Sequence, residues 1–252
     1  MEKDHKKRKK NKIISTIKYM PYQANPIDFN PLQDSFVDIC RIIEKADQDT
    51  AVAFTALSYD IFICISRINS NSEFLTKFFL ENKQELEKRY HLTNIFSDSF
   101  TAEFLEKRLE LSLDHRTYMN SVRKYLDFIQ KHVIKSKIKS KKILPDPFNE
   151  VWKKPSGDIQ QKYGLPDSDI AKIYPIAKGI CDDLISQRDS IQHKFEDFTH
   201  IIHKDGNIAF KYKKIGETSL VEEHREGYRL LVPSLIHIND QLIQLNSELI
   251  KL

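Results

Sequence analysis

Glycine is scarce in this chain, and its scarcity limits the folds that the chain can adopt. Only 6 of the 252 residues are glycine, whereas leucine, isoleucine, lysine, glutamate and glutamine are abundant. This composition favours helices. It predicts a mainly α protein: an up-and-down helical bundle with a long irregular insertion, one small β-hairpin and an extra C-terminal helix.

Apolar residues at helical spacing predict where the first helices lie. We expect them near residues 32–47, 50–69, 72–90, 99–115 and 117–137. The most hydrophobic run, Ala51 to Ile68, contains Asp60 and is short for a membrane span, so we interpret it as the central buried helix of a soluble bundle. The N-terminus lacks the apolar block of a signal peptide. We therefore expect a cytoplasmic protein that makes no membrane contact.

Positive charge is concentrated at the start of the chain. Residues 1–12 carry seven lysines or arginines against two acidic residues, a balance of +5, whereas the whole chain has a net charge of +4. We expect residues 1–30 to form a basic, flexible arm and residues 31–252 to form a single helical domain. The arm, like a second basic run in residues 131–142, is either a nucleic-acid contact or a solvated segment.

Prolines and glycines interrupt the helical pattern in residues 143–166, which predicts a long loop or insertion. This segment contains the only tryptophan, Trp152, followed by Lys153 and Lys154. Two interpretations stay open. Either Trp152 stacks on an RNA base next to two RNA-binding lysines, or it anchors the loop to the bundle.

An arginine and a histidine, Arg188 and His193, lie five residues apart in a helix that we expect from Asp167 to about Ile202. The helix has an apolar stripe at Ile173, Ala177, Ile180, Leu184, Ile191, Phe195, Phe198 and Ile202. Arg188 occupies the position between Leu184 and Ile191 where the spacing demands an apolar residue. A buried guanidinium needs an anion, several acceptors or water. We therefore expect a carboxylate partner, for which Asp60 is a guess, a phosphate ligand or an open cleft.

Asp189 precedes His193 by four residues, which places the two about 40° apart around a helix. Its carboxylate is positioned to orient the imidazole and to favour the charged form. Arg188 is about 140° from His193, so the two flank a groove. The alternative is structural: a surface His beside an Asp, and an Arg paired with a carboxylate of a neighbouring helix.

Two rival sites use other residues. Arg108 and His115 have a similar spacing, but Leu109 rather than a polar residue follows the arginine. A metal site would use His193, Glu196, His200 and His203, with help from Glu222, Glu223 or His224. We expect no metal because the chain lacks the Glu-x-x-His pairs of a di-metal bundle and because His203 belongs to a predicted hairpin.

Other cofactor and nucleophile sites find no support in the sequence. Phosphate-binding glycine loops and the Gly-x-Ser-x-Gly elbow are absent, so no cofactor is expected. Cys40, Cys64 and Cys181 are odd in number and lie in apolar stretches. They predict core thiols of a reducing compartment, neither a disulfide framework nor a zinc site.

A β-hairpin and a final helix are expected at the C-terminus. Asp205-Gly206 lies between two short apolar runs and favours a type I′ turn, which predicts a hairpin in residues 200–215. Ser219 and Glu222 match a capping box, so the last helix is expected to begin there and to be disturbed at Pro233.

The chain resembles the HEPN superfamily of helical bundles, whose members carry on a late helix an Arg and a His separated by four to six residues, of which the first is usually polar. Arg188, Asp189 and His193 fit that pattern. The resemblance implies a homodimer with a composite, metal-independent ribonuclease site. In it Arg188 binds the scissile phosphate, His193 exchanges protons and Asp189 orients His193. Ser190 and Lys194 would join Lys153 and Lys154 as RNA-binding residues.

The resemblance leaves two functions open. The first is an endoribonuclease acting on RNA in defence or in a toxin–antitoxin system, with a protein partner such as an antitoxin. The second is a non-catalytic helical scaffold that holds a partner protein, a nucleotide or RNA, because the superfamily also includes inactive members.

Overall fold

The computed structural model describes residues 26–45, 47–82, 99–135, 144, 147–164, 167–193, 201–204, 207–214 and 225–252. The helices in these segments are α1 (Asn30–Glu44), α2 (Gln48–Glu81), α3 (Ser99–Ile129), α4 (Phe148–Trp152), α5 (Ser156–Tyr163), α6 (Asp167–His193) and α7 (Leu231–Lys251). The strands are β1 (Ile201–Lys204), β2 (Asn207–Lys214) and β3 (Arg225–Leu230). The predicted mainly α bundle is confirmed.

The first two helices form the start of the bundle. Pro31 lies in the first turn of α1, where a missing N–H costs nothing. Asp47 caps α2 by accepting a hydrogen bond from the backbone N–H of Asp49. Before α1, buried Ile27 is held at the side of α2, because its N–H donates to the Asn69 side chain (2.9 Å) and its carbonyl accepts from it (3.0 Å). Residues 1–25, most of the predicted arm, lie outside the described segments.

The predicted breaks near residues 70 and 116 are wrong. α2 is continuous for 34 residues and α3 for 31, and a π-helical turn (Gln130–Ile134) follows α3. Asn69 and Asn71 look like turn residues, but their side chains make tertiary hydrogen bonds, to Ile27 and to Asp114 respectively. These hydrogen bonds offset the low helix propensity of asparagine, and the helix continues through both residues.

The apolar run Ala51–Ile68 belongs to a helix that is longer than the sequence predicted. Among the helices that the structure describes, α2 alone is long and apolar enough to cross a membrane by length and composition. A core helix of a soluble protein meets the same criterion, and α2 packs against α1 and α3 with buried residues along its length.

The core of the bundle is aromatic and contains matched polar groups. Phe36 of α1 stacks on Tyr125 of α3 with ring centroids 4.3 Å apart. The Tyr125 hydroxyl donates to Asn246 of α7 at 2.6 Å, and the Tyr118 hydroxyl donates to Asn239 at 2.7 Å. The C-terminal helix therefore belongs to the core of the bundle.

The insertion contains two short helices, α4 and α5, where an irregular loop is predicted. Trp152 of α4 is fully buried and donates its indole N–H to Gln130 at 3.0 Å. Gln130 itself is fully buried in the π-helical turn. The anchoring interpretation of Trp152 is confirmed, and base stacking by Trp152 is wrong because no part of the ring is exposed.

The C-terminal prediction is correct for the hairpin and wrong for the start of the last helix. β1 and β2 pair antiparallel with Lys204 opposite Asn207, which leaves a two-residue connection. β3 adds to β2 in a three-stranded antiparallel sheet, so α7 starts at Leu231 rather than near Ser219. Pro233 lies in the first turn of α7, where proline is tolerated.

Candidate functional site

The predicted motif lies in the last two turns of α6. The helix continues without interruption through Arg188, Asp189, Ser190 and His193, for which the structure describes the backbone. The predicted extension to Ile202 is wrong, because Ile201 and Ile202 belong to β1. Lys194 lies outside the described residues.

Position 188 continues the face of α6 that is buried in the bundle. The predicted stripe is confirmed at Ile173, Ala177, Ile180 and Leu184. Residue 188 follows Leu184 by four positions, which is about one helical turn or 6 Å. The arginine therefore comes one turn after buried Leu184, in the last two turns of the helix.

The end of α6 lies beside the beginning of α7. The two helices run antiparallel, as shown by the 3.2 Å contact between Asp183 and His237 and by the close approach of Gly179 to Gln241. Position 188 lies five residues after Asp183. Val232, in the first turn of α7, lies five residues before His237. Leu230, which precedes α7, makes no side-chain capping hydrogen bond. The first-turn backbone N–H groups, which Pro233 does not contribute to, give this helix start a positive potential that favours an anion.

The rival pair on α3 is built into the fold. Arg108 is half-buried with its guanidinium 5.7 Å from the centre of the Phe104 ring, and His115 is only 3% exposed. Burial leaves the His115 side chain little surface for contact with a substrate. The preference for Arg188 and His193 over this pair is consistent with that burial.

Next to His115, a charged cluster joins α2 and α3. Asp114 accepts hydrogen bonds from Arg67 (3.2 Å) and Asn71 (3.1 Å). Burial raises the pKa of the Asp114 carboxyl, and the nearby Arg67 charge opposes that rise. Sequence reasoning missed this cluster because its members are more than 40 residues apart; an aspartate in the apolar seam of α3 was the available signal.

The two lysines of the insertion have different surroundings. Lys153 is exposed. Lys154 is half-buried, with its amine 3.5 Å from the Tyr163 hydroxyl and 5.8 Å from the centre of that ring. RNA binding by either lysine stays a prediction, and Lys153 is the more accessible of the two.

Pairing of Asp60 with Arg188 also stays a prediction. Asp60 is exposed on α2, whereas the principal packing contacts of α6 are with α7, α3, α4 and α5.

Metal binding gains no support from the part of the chain that the structure describes, where no group of three or more His, Cys, Asp or Glu side chains could hold an ion. Of the rival ligands, His203 lies on β1, as predicted. Glu196, His200, Glu222, Glu223 and His224 lie outside the described residues.

The three cysteines are free thiols. Burial raises the pKa of Cys64 to about 11 and that of Cys181 to about 12, which makes both poor nucleophiles. Cys40 is half-buried, so the prediction of core thiols is confirmed most fully for Cys64 and Cys181.

Comparison with protein families, with curated proteins and with solved structures gives no match to this chain.

Proposed function

We propose that this protein is a HEPN-type, homodimeric, metal-independent endoribonuclease of the cytoplasm. The observation that carries the proposal is the continuity of α6 through both Arg188 and His193. A continuous helix holds the two residues at a fixed spacing, on neighbouring faces, in the last two turns of α6. The positive start of α7 beside position 188 adds a second attraction for a phosphate.

The proposed chemistry needs only these side chains. Arg188 neutralises the scissile phosphate, and His193 removes the proton from the ribose 2′-hydroxyl. The 2′-oxygen then attacks phosphorus, and the bond to the 5′-oxygen breaks. That oxygen leaves with a proton from an imidazolium, which in a composite site is supplied by the second motif. The products are a 2′,3′-cyclic phosphate and a 5′-hydroxyl, with Asp189 orienting His193.

Cleavage of RNA in the presence of a chelator tests the proposal. The full-length protein should cut RNA in EDTA and leave cyclic phosphate ends, and Arg188→Ala and His193→Ala should each lower the rate about 100-fold or more. Arg41→Ala is the matched control, because Arg41 is an exposed arginine paired with Asp38 on α1. Intact RNA, or variants that cut as fast as the parent, would contradict catalysis at this site.

The mass of the protein in solution tests the composite site. Light scattering should give twice the chain mass at the protein concentration used for cleavage. A monomer that retains cleavage would contradict a site built from two copies. In the proposed defence or toxin–antitoxin context, expression of the parent protein should stop cell growth, whereas expression of His193→Ala should not.

A second candidate function is a scaffold that binds a partner protein. It is favoured by large apolar side chains exposed along one side of α2, at Val52, Tyr59 and Ile63. Exposed apolar patches often mark protein-binding surfaces. If the parent protein leaves RNA intact, and if Ile63→Glu but not Arg188→Ala loses a partner protein that copurifies with the parent, the scaffold is supported over the nuclease.

A further inference from the structure

One side of the α1–α2 pair exposes apolar side chains. Val52, Tyr59 and Ile63 are each more than half exposed, and they lie within about 40° of one another around α2. Val37 of α1 is also exposed. It lies on the side of α1 that faces α2, because Cys40, one turn later, contacts α2. We name the surface formed by these four apolar residues of the two helices the outer face.

The outer face carries little charge and has little relief. From Val52 to Ile63 the sequence contains one charged residue, Asp60. Ala53 and Ala56 are exposed as well, so small side chains separate the larger apolar ones. Contiguous exposed apolar side chains often mark a contact surface. This surface suits an apolar stretch of chain that lies along α2.

The N-terminal part of the chain joins the bundle next to the outer face. Ile27 is buried, and two hydrogen bonds of 2.9 and 3.0 Å hold its backbone to the Asn69 side chain of α2. Along the axis of α2, Asn69 is about 9 Å from Ile63 and about 26 Å from Val52. Residues 14–26 span up to about 43 Å when they are extended. The residues before Ile27 are therefore long enough to cover the outer face.

Residues 13–22, which lie outside the described segments, have a composition that matches this surface. Lys18 is their only charged residue, and its sign is opposite to that of Asp60 on α2. Most of the other side chains are apolar or aromatic, namely Ile13, Ile14, Ile17, Tyr19, Met20 and Tyr22. Contact with the outer face would remove these side chains from water.

The charges at the far end of the outer face also match the N-terminal sequence. Where α1 ends and α2 begins, residues 44–49 include three exposed carboxylates and one lysine, a net charge of −2. Residues 1–12 have a net charge of +5. A segment that runs from Asn69 towards Val52 brings these basic residues to the acidic junction of α1 and α2. Opposite charges then attract at the end of the path.

A second copy of the chain fits the outer face less well than the chain's own N-terminal segment. A stable interface buries about 800 Å² on each partner, which is more than four separate side chains supply. A tethered segment needs less contact, because its tether gives it an effective concentration in the millimolar range. The connection through Ile27 therefore favours the N-terminal segment as the occupant.

We infer that residues 13–22 of this chain pack along the outer face, in the direction from Asn69 towards Val52, with residues 1–12 beside the acidic junction of α1 and α2. This contact is independent of the proposed nuclease activity. It holds the basic residues next to the protein's own carboxylates, where they are less available to RNA. A partner protein that binds the outer face has to displace the segment.

Limited proteolysis of the full-length protein tests the contact. Trypsin cuts after Lys18, fragment masses identify the cut, and its rate follows the fraction of molecules in which the segment is undocked. Tyr59→Glu places a charge in the outer face and should raise that rate about tenfold, with the melting temperature unchanged because Tyr59 is exposed. Leu109→Glu is the matched control, since Leu109 is equally exposed on α3, and it should leave the rate unchanged.

A double-mutant cycle tests whether the segment and the outer face touch. Ile14→Glu, in the segment, should raise the rate of the cut after Lys18 about as much as Tyr59→Glu. The double variant should be cut far more slowly than the product of the two increases predicts, because both substitutions break one contact. Increases that multiply, or a Tyr59→Glu variant that is cut no faster than Leu109→Glu, would overturn the inference.

The dependence on protein concentration identifies the occupant. A slow cut after Lys18 whose rate is the same at all concentrations supports the chain's own segment. If the cut becomes slower as concentration rises, and if light scattering shows that Tyr59→Glu loses a dimer, the outer face joins two copies and the inference is wrong. None of these measurements involves RNA, so failure of the contact and failure of the proposed nuclease are distinguishable.

Discussion

Two Arg…His pairs of similar spacing occur in this protein, one in the middle of α3 and one at the end of α6. On α3, Arg108 stacks over an aromatic ring and His115 is enclosed in the core. On α6, Arg188 comes one turn after Leu184, which is buried. The comparison shows that pairs of similar spacing can have different places in a fold: one pair lies in the middle of a long packed helix, and the other lies in the last two turns of a helix.

The largest effects should come from removing the two histidines. His193→Ala should lower RNA cleavage about 10²–10⁴-fold with little change in stability, because it removes the proposed acid–base group. His115→Ala should do the reverse and cost about 2–5 kcal/mol in the free energy of unfolding, because it empties a space in the core, while the folded fraction keeps its cleavage rate. Cleavage rates and urea unfolding of both variants provide the measurement.

The same comparison would fail if the two substitutions had similar effects. A His115→Ala variant that remains stable but loses cleavage would move the site to α3. Arg108→Ala is the companion variant. If the site lies on α6, this variant should cut RNA at a rate within about threefold of the parent, whereas a site on α3 would require a large loss.

A smaller loss of stability is expected where α3 contributes matched polar groups to the core. Tyr125→Phe removes the hydroxyl that bonds Asn246 and should cost about 1–3 kcal/mol, because the buried amide oxygen loses its donor. Tyr118→Phe should act similarly through Asn239. Urea unfolding measures both losses, and RNA cleavage should remain unchanged. No loss in either variant would mean that these hydrogen bonds contribute little to the fold.

The charged cluster beside His115 should give a weaker effect that depends on pH. Burial raises the pKa of Asp114 in the folded protein above its value in the unfolded chain. Protonation therefore favours folding, and this contribution is lost as pH rises above about 4 through the raised pKa. Asp114→Asn lacks the titration, so the stability of the parent relative to the variant should fall between pH 3 and pH 7. A constant difference across that range would contradict the raised pKa.

The smallest effect is expected on the surface of α6, before the motif. Lys178 and Asp182 form an ion pair at 2.6 Å, but the Asp182 side chain is exposed and that of Lys178 is partly exposed. Asp182→Asn should change stability by less than about 0.5 kcal/mol and leave cleavage unaltered. A clear loss of cleavage would show that the charge of this part of α6 matters to the site.

The sequence predicted those features that depend on local spacing. The apolar seam of α6 and the hairpin around Asp205-Gly206 follow from periodicity and from turn chemistry. Distant contacts override such signals elsewhere. Asn71 resembles a turn residue but bonds Asp114 on α3, and a capping box at Ser219 suggested a helix where β3 instead pairs with β2.

The same contrast between local spacing and distant contacts applies to the candidate site. The sequence suggests Arg188 and His193 because they lie close together on one helix. It does not suggest the pocket between α3, α4 and α6, because its lining residues Arg123, Asn149 and Leu184 come from three segments that meet only after folding. Nothing in the local sequence around Asn149 indicates that its oxygen is buried.

The two tyrosine–asparagine hydrogen bonds also determine how α3 and α7 align along their lengths. Tyr118 and Tyr125 are one heptad apart on α3, as are their acceptors Asn239 and Asn246 on α7, so both bonds span 121 residues. If α7 shifted by one heptad along α3, one tyrosine would meet the wrong asparagine, and the other tyrosine hydroxyl and asparagine amide would be buried without a partner. The two hydrogen bonds therefore select one alignment of α3 with α7 over the shifted alignments that leucine and isoleucine packing alone would allow.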